Sequence, residues 1–187
     1  LSIAQESWPI AGNFTISRGS KTAADVVVVT LEEEGQRGRG EAVPYPRYNE
    51  TVEGVVASLE AARAGIEAGF SHADVPRLVN PRAAQNALDC ALWDLESKRA
   101  GKPVWQLARL QQPRPMVTAY TLSLDTPEAM ASAAAEASHR PLLKLKLGGD
   151  GDVERLRLIR AAAPASRLIV DANESWTPEA LPQLLKA

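Results

Sequence analysis

The chain has 187 residues, of which 45% are apolar and 24% charged, with a net charge of −2. That balance describes a globular chain able to bury a sizeable core, and it excludes a field that would steer the chain to nucleic acid or an anionic membrane. No apolar run approaches the roughly 20 residues that span a bilayer, and the first residues lack a basic region leading into an apolar one, so the cytoplasm is the expected location.

Residues 2–10 and 14–17 are strand candidates. Asp25–Leu31 carries the β-branched run Val26, Val27, Val28, Val29, Thr30, followed by the polar turn Glu32-Glu33-Glu34-Gly35. The pattern predicts a small antiparallel sheet followed by two helices. In the first, Val52, Val55, Val56, Leu59, Ala62 and Ile66 keep one apolar stripe as far as Gly69. The second takes Asn80 as N-cap and Pro81 as its first helical residue, and turns Ala84, Ala87, Leu88, Ala91, Leu92 and Leu95 inward. The single cysteine, Cys90, lies among apolar residues of that helix and reads as core filler rather than a nucleophile. His72 and His139 lack ligand spacing and read as surface or packing residues.

Around residues 111–115 the run Gln-Gln-Pro-Arg-Pro marks a link between domains, and the order then alternates. Met116–Leu122 reads as strand, and Thr126 and Pro127 open an alanine-rich helix. Leu142–Leu147 reads as strand, 152–163 as helix, 167–171 as strand, and Thr177 with Pro178 behind it opens a third helix. Repeated βα units imply a parallel sheet, closed as a barrel or open as a doubly wound sheet, and no GxGxxG follows any of the three strands, which weakens a dinucleotide-binding reading. A closed (β/α)₈ barrel needs eight such units in about 250 residues. The expected fold is therefore α/β and truncated: either these residues are a fragment of a longer chain, or another polypeptide completes the open edge.

Chemistry concentrates at the strand ends. Side chains at i and i+2 share a face of a strand, so in Leu143-Lys144-Leu145-Lys146-Leu147 the lysines point one way and the leucines the other. A barrel strand would aim the lysines into its mouth; an edge strand would face them to water to discourage aggregation. The apolar run Arg167-Leu168-Ile169-Val170 ends abruptly in a carboxylate, Asp171, where such barrels place their reactive groups. On adjacent parallel strands the lysines and Asp171 can converge on one small volume.

Together Asn86-Ala87-Leu88-Asp89-Cys90-Ala91-Leu92-Trp93-Asp94-Leu95, the Lys-x-Lys strand and Asp171-Ala172-Asn173-Glu174-Ser175-Trp176 resemble the enolase superfamily, and within it the dipeptide epimerases. Ile16-Ser17-Arg18-Gly19-Ser20 and Gly40–Tyr48 extend the likeness over the whole chain. The resemblance implies an α+β capping domain over residues 1–112 and the first three βα units of a TIM-type barrel over 113–187. It implies Lys146 as an acid/base residue with Lys144 as its neighbour, Asp171 as a ligand of Mg²⁺, and Asn173 hydrogen bonding near the metal. Trp176 is expected to pack. It further implies Arg18 as the grip on a glutamyl side-chain carboxylate, a task suited to a planar bidentate donor, and Thr121 as a hydrogen-bond donor to substrate.

The implied reaction removes an α-proton from an acidic dipeptide of the L-Ala-D/L-Glu type, with Mg²⁺ holding the enediolate oxygens, and the implied setting is cell-wall peptide metabolism. Other Lys-x-Lys chemistries on this scaffold are N-acylamino acid racemisation, cycloisomerisation and o-succinylbenzoate synthesis. The implied partners are a small dipeptide and either a homo-oligomer or a complementing chain. Since the family's other two metal ligands and second base lie outside these residues, the 187 residues alone are expected to be inactive, and a fragment that only docks or self-associates is the non-enzymatic alternative.

Overall fold

The structure, a computed structural model, describes residues 1–186. Two long strands open the chain, β1 (Ser2–Ile16) and β2 (Gly19–Glu33), and β3 (Gln36–Ala42) pairs antiparallel with β2 from Glu33 opposite Gln36 to Val27 opposite Ala42. The sheet order is β1-β2-β3. Gly12 takes a left-handed φ of 77° inside β1, which is why residues 2–10 and 14–17 read as two pieces although they form one strand. β3 is an addition to the predicted elements, because Gly38 and Gly40 look like turn residues. Their bareness has another use. Gly38, Gly40 and Ala42 alternate on the buried face of β3, where a side chain at either glycine would overlap the backbone of a helix.

That helix is α4 (Arg82–Ala100), preceded by α1 (Val52–Ala61), α2 (Arg63–Glu67) and the one-turn α3 (Val75–Leu78), and followed by α5 (Val104–Leu107). The single helix predicted after residue 51 is broken at Ala62, with its stripe of Val55, Leu59 and Ile66 still buried. Asn80 is not the cap of α4. Pro81 occupies that position in non-helical backbone, and Glu50 Oε1 accepts from Ala83 N at 3.0 Å, giving a first-turn amide the acceptor that Asn80 was expected to provide. Cys90 is not core filler: it lies on the exposed side of α4, while Ala87, Leu88 and Ala91 on the other side are fully buried.

Before α3, Ser71 and Asp74 form a reciprocal capping box, with Ser71 Oγ and Ser71 N both donating to Asp74 Oδ2 at 2.6 and 3.0 Å. These bonds, first the hydroxyl and then the amide, with help from Arg77, hold the Asp74 carboxyl down at about 2. A depressed value means that the capping contribution is complete above the ordinary aspartate range near about 3.9 and is lost as pH falls through about 2. Carboxyl ¹³C NMR is expected to show Asp74 still ionised at pH 3; a midpoint near 4 would contradict the box.

The parallel region contains β4 (Tyr120–Leu122), α6 (Pro127–Glu136), β5 (Leu142–Lys146), α7 (Asp152–Ala162), β6 (Arg167–Asp171) and α8 (Leu181–Leu184). Its sheet order is β4-β5-β6, the first three βα units of a barrel, with three strands among the described residues. β4 is shorter than the predicted 116–122, since Met116 and Val117 are exposed and outside the ladder. Thr126 caps α6 as expected, accepting from Ala129 N at 3.2 Å. Thr177 instead accepts from Ala180 N within a turn, and α8 begins only at Leu181.

The described residues divide into two compact units, 1–9 with 23–114, and 10–22 with 115–186. The first has its core on Val27, Val29, Val55, Leu59, Leu88 and Leu95; the second on Leu122, Met130, Leu143, Leu145, Leu147 and Ile159. Among the described residues no helix is long and apolar enough to cross a membrane.

Candidate active site

β5 is the middle strand of its sheet, hydrogen-bonded to β4 on one side and β6 on the other, so its lysines are not the charges of an exposed edge. Leu143, Leu145 and Leu147 are fully buried against the core. The opposite face carries Lys144 and Lys146. Pairing of Thr121 with Lys144 and of Lys146 with Asp171 puts all four on that face, because partners in a parallel ladder point the same way.

The lysines and the aspartate meet. Lys146 Nζ lies 2.8 Å and Lys144 Nζ 2.9 Å from the same carboxylate oxygen, Asp171 Oδ2. The other oxygen, Oδ1, accepts from Asn173 N at 3.1 Å, and the Asp171 carbonyl accepts from Leu147 N at 3.0 Å. Lys146 is 7% exposed and Lys144 more open, so the two ammonium groups share a counter-ion but not an environment. The hydrogen bond from Lys146, then that from Lys144, holds the Asp171 carboxyl well below the usual carboxylate range, against the partial burial that would raise it.

The loop after β6 is turned tightly by Asn173 and Glu174, both in left-handed backbone at φ 48° and 67°. Asn173 uses its carbonyl to accept from Ser17 Oγ and Arg18 Nη1, each at 3.0 Å, and Arg18 Nη1 lies 3.3 Å from Glu174 Oε1. The β1–β2 arm that carries Arg18 is held further by Leu124 N donating to Thr15 O at 3.0 Å and Ser123 Oγ to Asn13 O at 3.1 Å. Phe14 on the same arm sets its ring 5.8 Å from Lys146 Nζ, within the range of a cation–π contact. Asn173 Oδ1 is buried and has no hydrogen-bond partner.

The structure thus joins Lys144, Lys146 and Asp171 directly, sets Arg18 and Asn173 on one loop contact, and seats Thr121 beside Lys144 on the neighbouring strand. Sequence reasoning missed Phe14, Ser17 and Glu174, whose place depends on how the arm lies and leaves no local signal. It missed Asp152 too, although an acidic residue opening a helix behind Gly148-Gly149 is a legible N-terminal signal. Trp176 packs against the barrel-side core as expected, and also donates from Nε1 to Asp152 Oδ2 at 2.7 Å. Among the described residues no group of three His, Cys, Asp or Glu side chains could hold a metal ion. The loop's oxygen donors are the Asp171 carboxylate and the unpartnered Asn173 Oδ1, hard ligands of the kind Mg²⁺ prefers.

A family model for the mandelate racemase/muconate lactonizing enzyme N-terminal domain matches residues 1–108. L-Ala-D/L-Glu epimerase of Escherichia coli (strain K12) is 42% identical over 183 residues, which are 97% of this chain and 57% of that protein. An Agrobacterium tumefaciens enolase family member with homology to dipeptide epimerases, solved with sodium and L-Ala-L-Glu, has a TM-score of 0.94 at 48% identity, covering 99% of this chain and 57% of that one. The Cytophaga hutchinsonii dipeptide epimerase, complexed with Mg and D-Ala-L-Val, has a TM-score of 0.87 at 28% identity, covering 98% and 54%. The chain spans little more than half the length of these relatives. By its N-terminal domain, its partial barrel and these likenesses, the chain belongs to the enolase superfamily, among its dipeptide-epimerase-like members.

Proposed function

We propose that this chain supplies one wall of an active site that epimerises acidic dipeptides of the L-Ala-D/L-Glu type by removing and returning an α-proton. The observation that carries this reading is the single Asp171 oxygen shared by Lys144 and Lys146 at the ends of adjacent parallel strands. Lys146, the more enclosed of the two, is the acid/base residue: as the free amine its Nζ takes the proton from the α-carbon, and as the ammonium paired with Asp171 it gives one back. Lys144 is its cationic neighbour across Asp171. Thr121 donates a hydrogen bond to the substrate from the adjoining strand. Arg18, whose guanidinium also meets the Asn173 carbonyl and the Glu174 carboxylate, is the planar donor that holds the glutamyl side-chain carboxylate.

The residues fit Mg²⁺ in kind. Asp171 would hold it, with Asn173 hydrogen bonding beside it, and the bound ion supplies positive charge that favours loss of a proton next to a carboxylate. Two further observations on relatives support the reading: the E. coli protein is named for this epimerisation, and the C. hutchinsonii enzyme was solved with Mg and a dipeptide. The setting that follows is the handling of cell-wall peptides in the cytoplasm.

The test is α-proton exchange of L-Ala-L-Glu in D₂O with Mg²⁺, followed by ¹H NMR. The complete protein should exchange the glutamyl α-proton, and the 187 residues alone should not. Arg18→Ala in the complete protein is expected to lower kcat/KM for L-Ala-L-Glu by roughly 10- to 100-fold, the scale of a charged hydrogen bond, while sparing dipeptides without an acidic side chain. Equal losses on both substrates would remove Arg18 from side-chain recognition and favour another Lys-x-Lys reaction, such as N-acylamino acid racemisation.

A further inference from the structure

Outside the lysine–aspartate cluster the most enclosed charge is Asp152, the first residue of α7, at 1% exposure with its side chain fully buried. A carboxylate so buried needs donors for both oxygens, and these come from separate parts of the chain. Gly148 N and Arg155 Nη1 donate to Oδ1, each at 3.1 Å. Gly149 N and Trp176 Nε1 donate to Oδ2, each at 2.7 Å. The glycines lie two and three residues beyond Lys146, in the loop after β5; Trp176 lies five beyond Asp171, in the loop after β6.

Arg155, held by this carboxylate, extends the connection. Its Nε donates to Asp125 O at 2.8 Å, in the loop after β4, and its Nη1 to Asp150 O at 2.6 Å. One buried ion pair therefore ties the loops at the carboxyl ends of all three parallel strands. A solely structural anchor could do this anywhere in the sheet. This one sits where two of its tethers leave the strands that carry Lys146 and Asp171.

We propose that Asp152 is a positioning residue for the reaction: by joining the loops behind Lys146 and Asp171 it fixes the spacing of base and metal-binding carboxylate. This rests on the proposed function for its kinetic consequence but not for its geometry. Trp176→Phe is the informative variant, because it keeps the ring in the core and deletes one donor to Asp152. In the complete protein it is expected to lower kcat for α-proton exchange and weaken Mg²⁺ binding by a few-fold, less than the roughly 10-fold that loss of a ligand's direct partner costs, because it acts on Asp171 through the loop alone. The Asp171 carboxyl ¹³C resonance should shift with it. Asp152→Asn should act in the same direction and more strongly, and should move the Trp176 indole N–H resonance upfield as its carboxylate acceptor is lost.

Trp176→Phe with unchanged kcat, Mg²⁺ affinity and Asp171 resonance would overturn the proposal even if the melting temperature fell, because a packing role alone predicts that result. If the unaltered complete protein exchanges no α-proton, the epimerase reading fails while the Asp171 resonance and Mg²⁺ affinity still decide whether Asp152 positions the carboxylate. Failure of Asp152→Asn to fold leaves the decision with Trp176→Phe.

Discussion

Replacing Lys146 with alanine in the complete protein is expected to lower α-proton exchange by about 10³-fold or more, near the upper end of what a positioned acid/base group contributes. The substitution removes the only one of the two lysines that is almost wholly enclosed and set against the Phe14 ring. It should not remove the metal. Asp171 keeps Lys144 and the Asn173 amide as partners and loses one of two ammonium groups that compete with any cation for Oδ2, so Mg²⁺ affinity should hold or rise. Exchange rates by NMR together with Mg²⁺ titration separate these outcomes. Activity within about tenfold of the unaltered protein would exclude Lys146 as the base, whereas loss of activity together with metal binding would mean that the lysine acts through Asp171 instead.

The second large effect concerns stability. Gly40→Val should destabilise the first unit by about 3 kcal/mol or more, the upper range for overpacking, because nothing at the site can yield cheaply. A Cβ there would overlap the carbonyl oxygen of Ala87 and the amide nitrogen of Ala91, both backbone atoms inside α4. Strand and helix would have to separate, and with them the bonds that join their edges. Those are Arg39 N to Asp94 Oδ2 at 2.7 Å, Asn86 Nδ2 to Glu41 O at 2.9 Å and Lys98 Nζ to Arg37 O at 2.7 Å. A lower urea midpoint with an unchanged slope would report this. A midpoint within the range of surface substitutions would show that α4 can slide away from β3 at little cost.

What was legible in the sequence follows from how local each signal is. Period-two alternation set Lys144 and Lys146 on one face, and an apolar run ending in a carboxylate set Asp171 at a strand end; both depend only on neighbours in the chain, whereas the shared Oδ2 also needs the register of β5 against β6. Thr126 and the alternating βα order were legible for the same reason. β3 was hidden because glycines chosen for closeness to a helix look identical to glycines chosen for a turn. Asn80 misled because its cap function was supplied from Glu50, thirty-odd residues away in sequence. Cys90 misled because residue type was weighed over position: the stripe Ala84, Ala87, Leu88, Ala91, Leu92 and Leu95 is buried as its spacing predicts, and Cys90 falls outside it. The contacts of Phe14, Ser17 and Glu174 belong to tertiary placement, which no pattern of spacing encodes.

The arm at residues 10–22 has a consequence for how relatives can be recombined. It is continuous with two strands of the first unit, yet its hydrogen bonds run from Asn13, Thr15, Ser17 and Arg18 to Leu124, Ser123 and Asn173. A chimera made with one crossover near residue 114 would inherit Arg18 from one parent and the Asn173-Glu174 turn from the other, splitting a matched pair. Exchanging the arm between relatives therefore takes two additional junctions, flanking it, so that the arm is inherited together with the strand ends it touches.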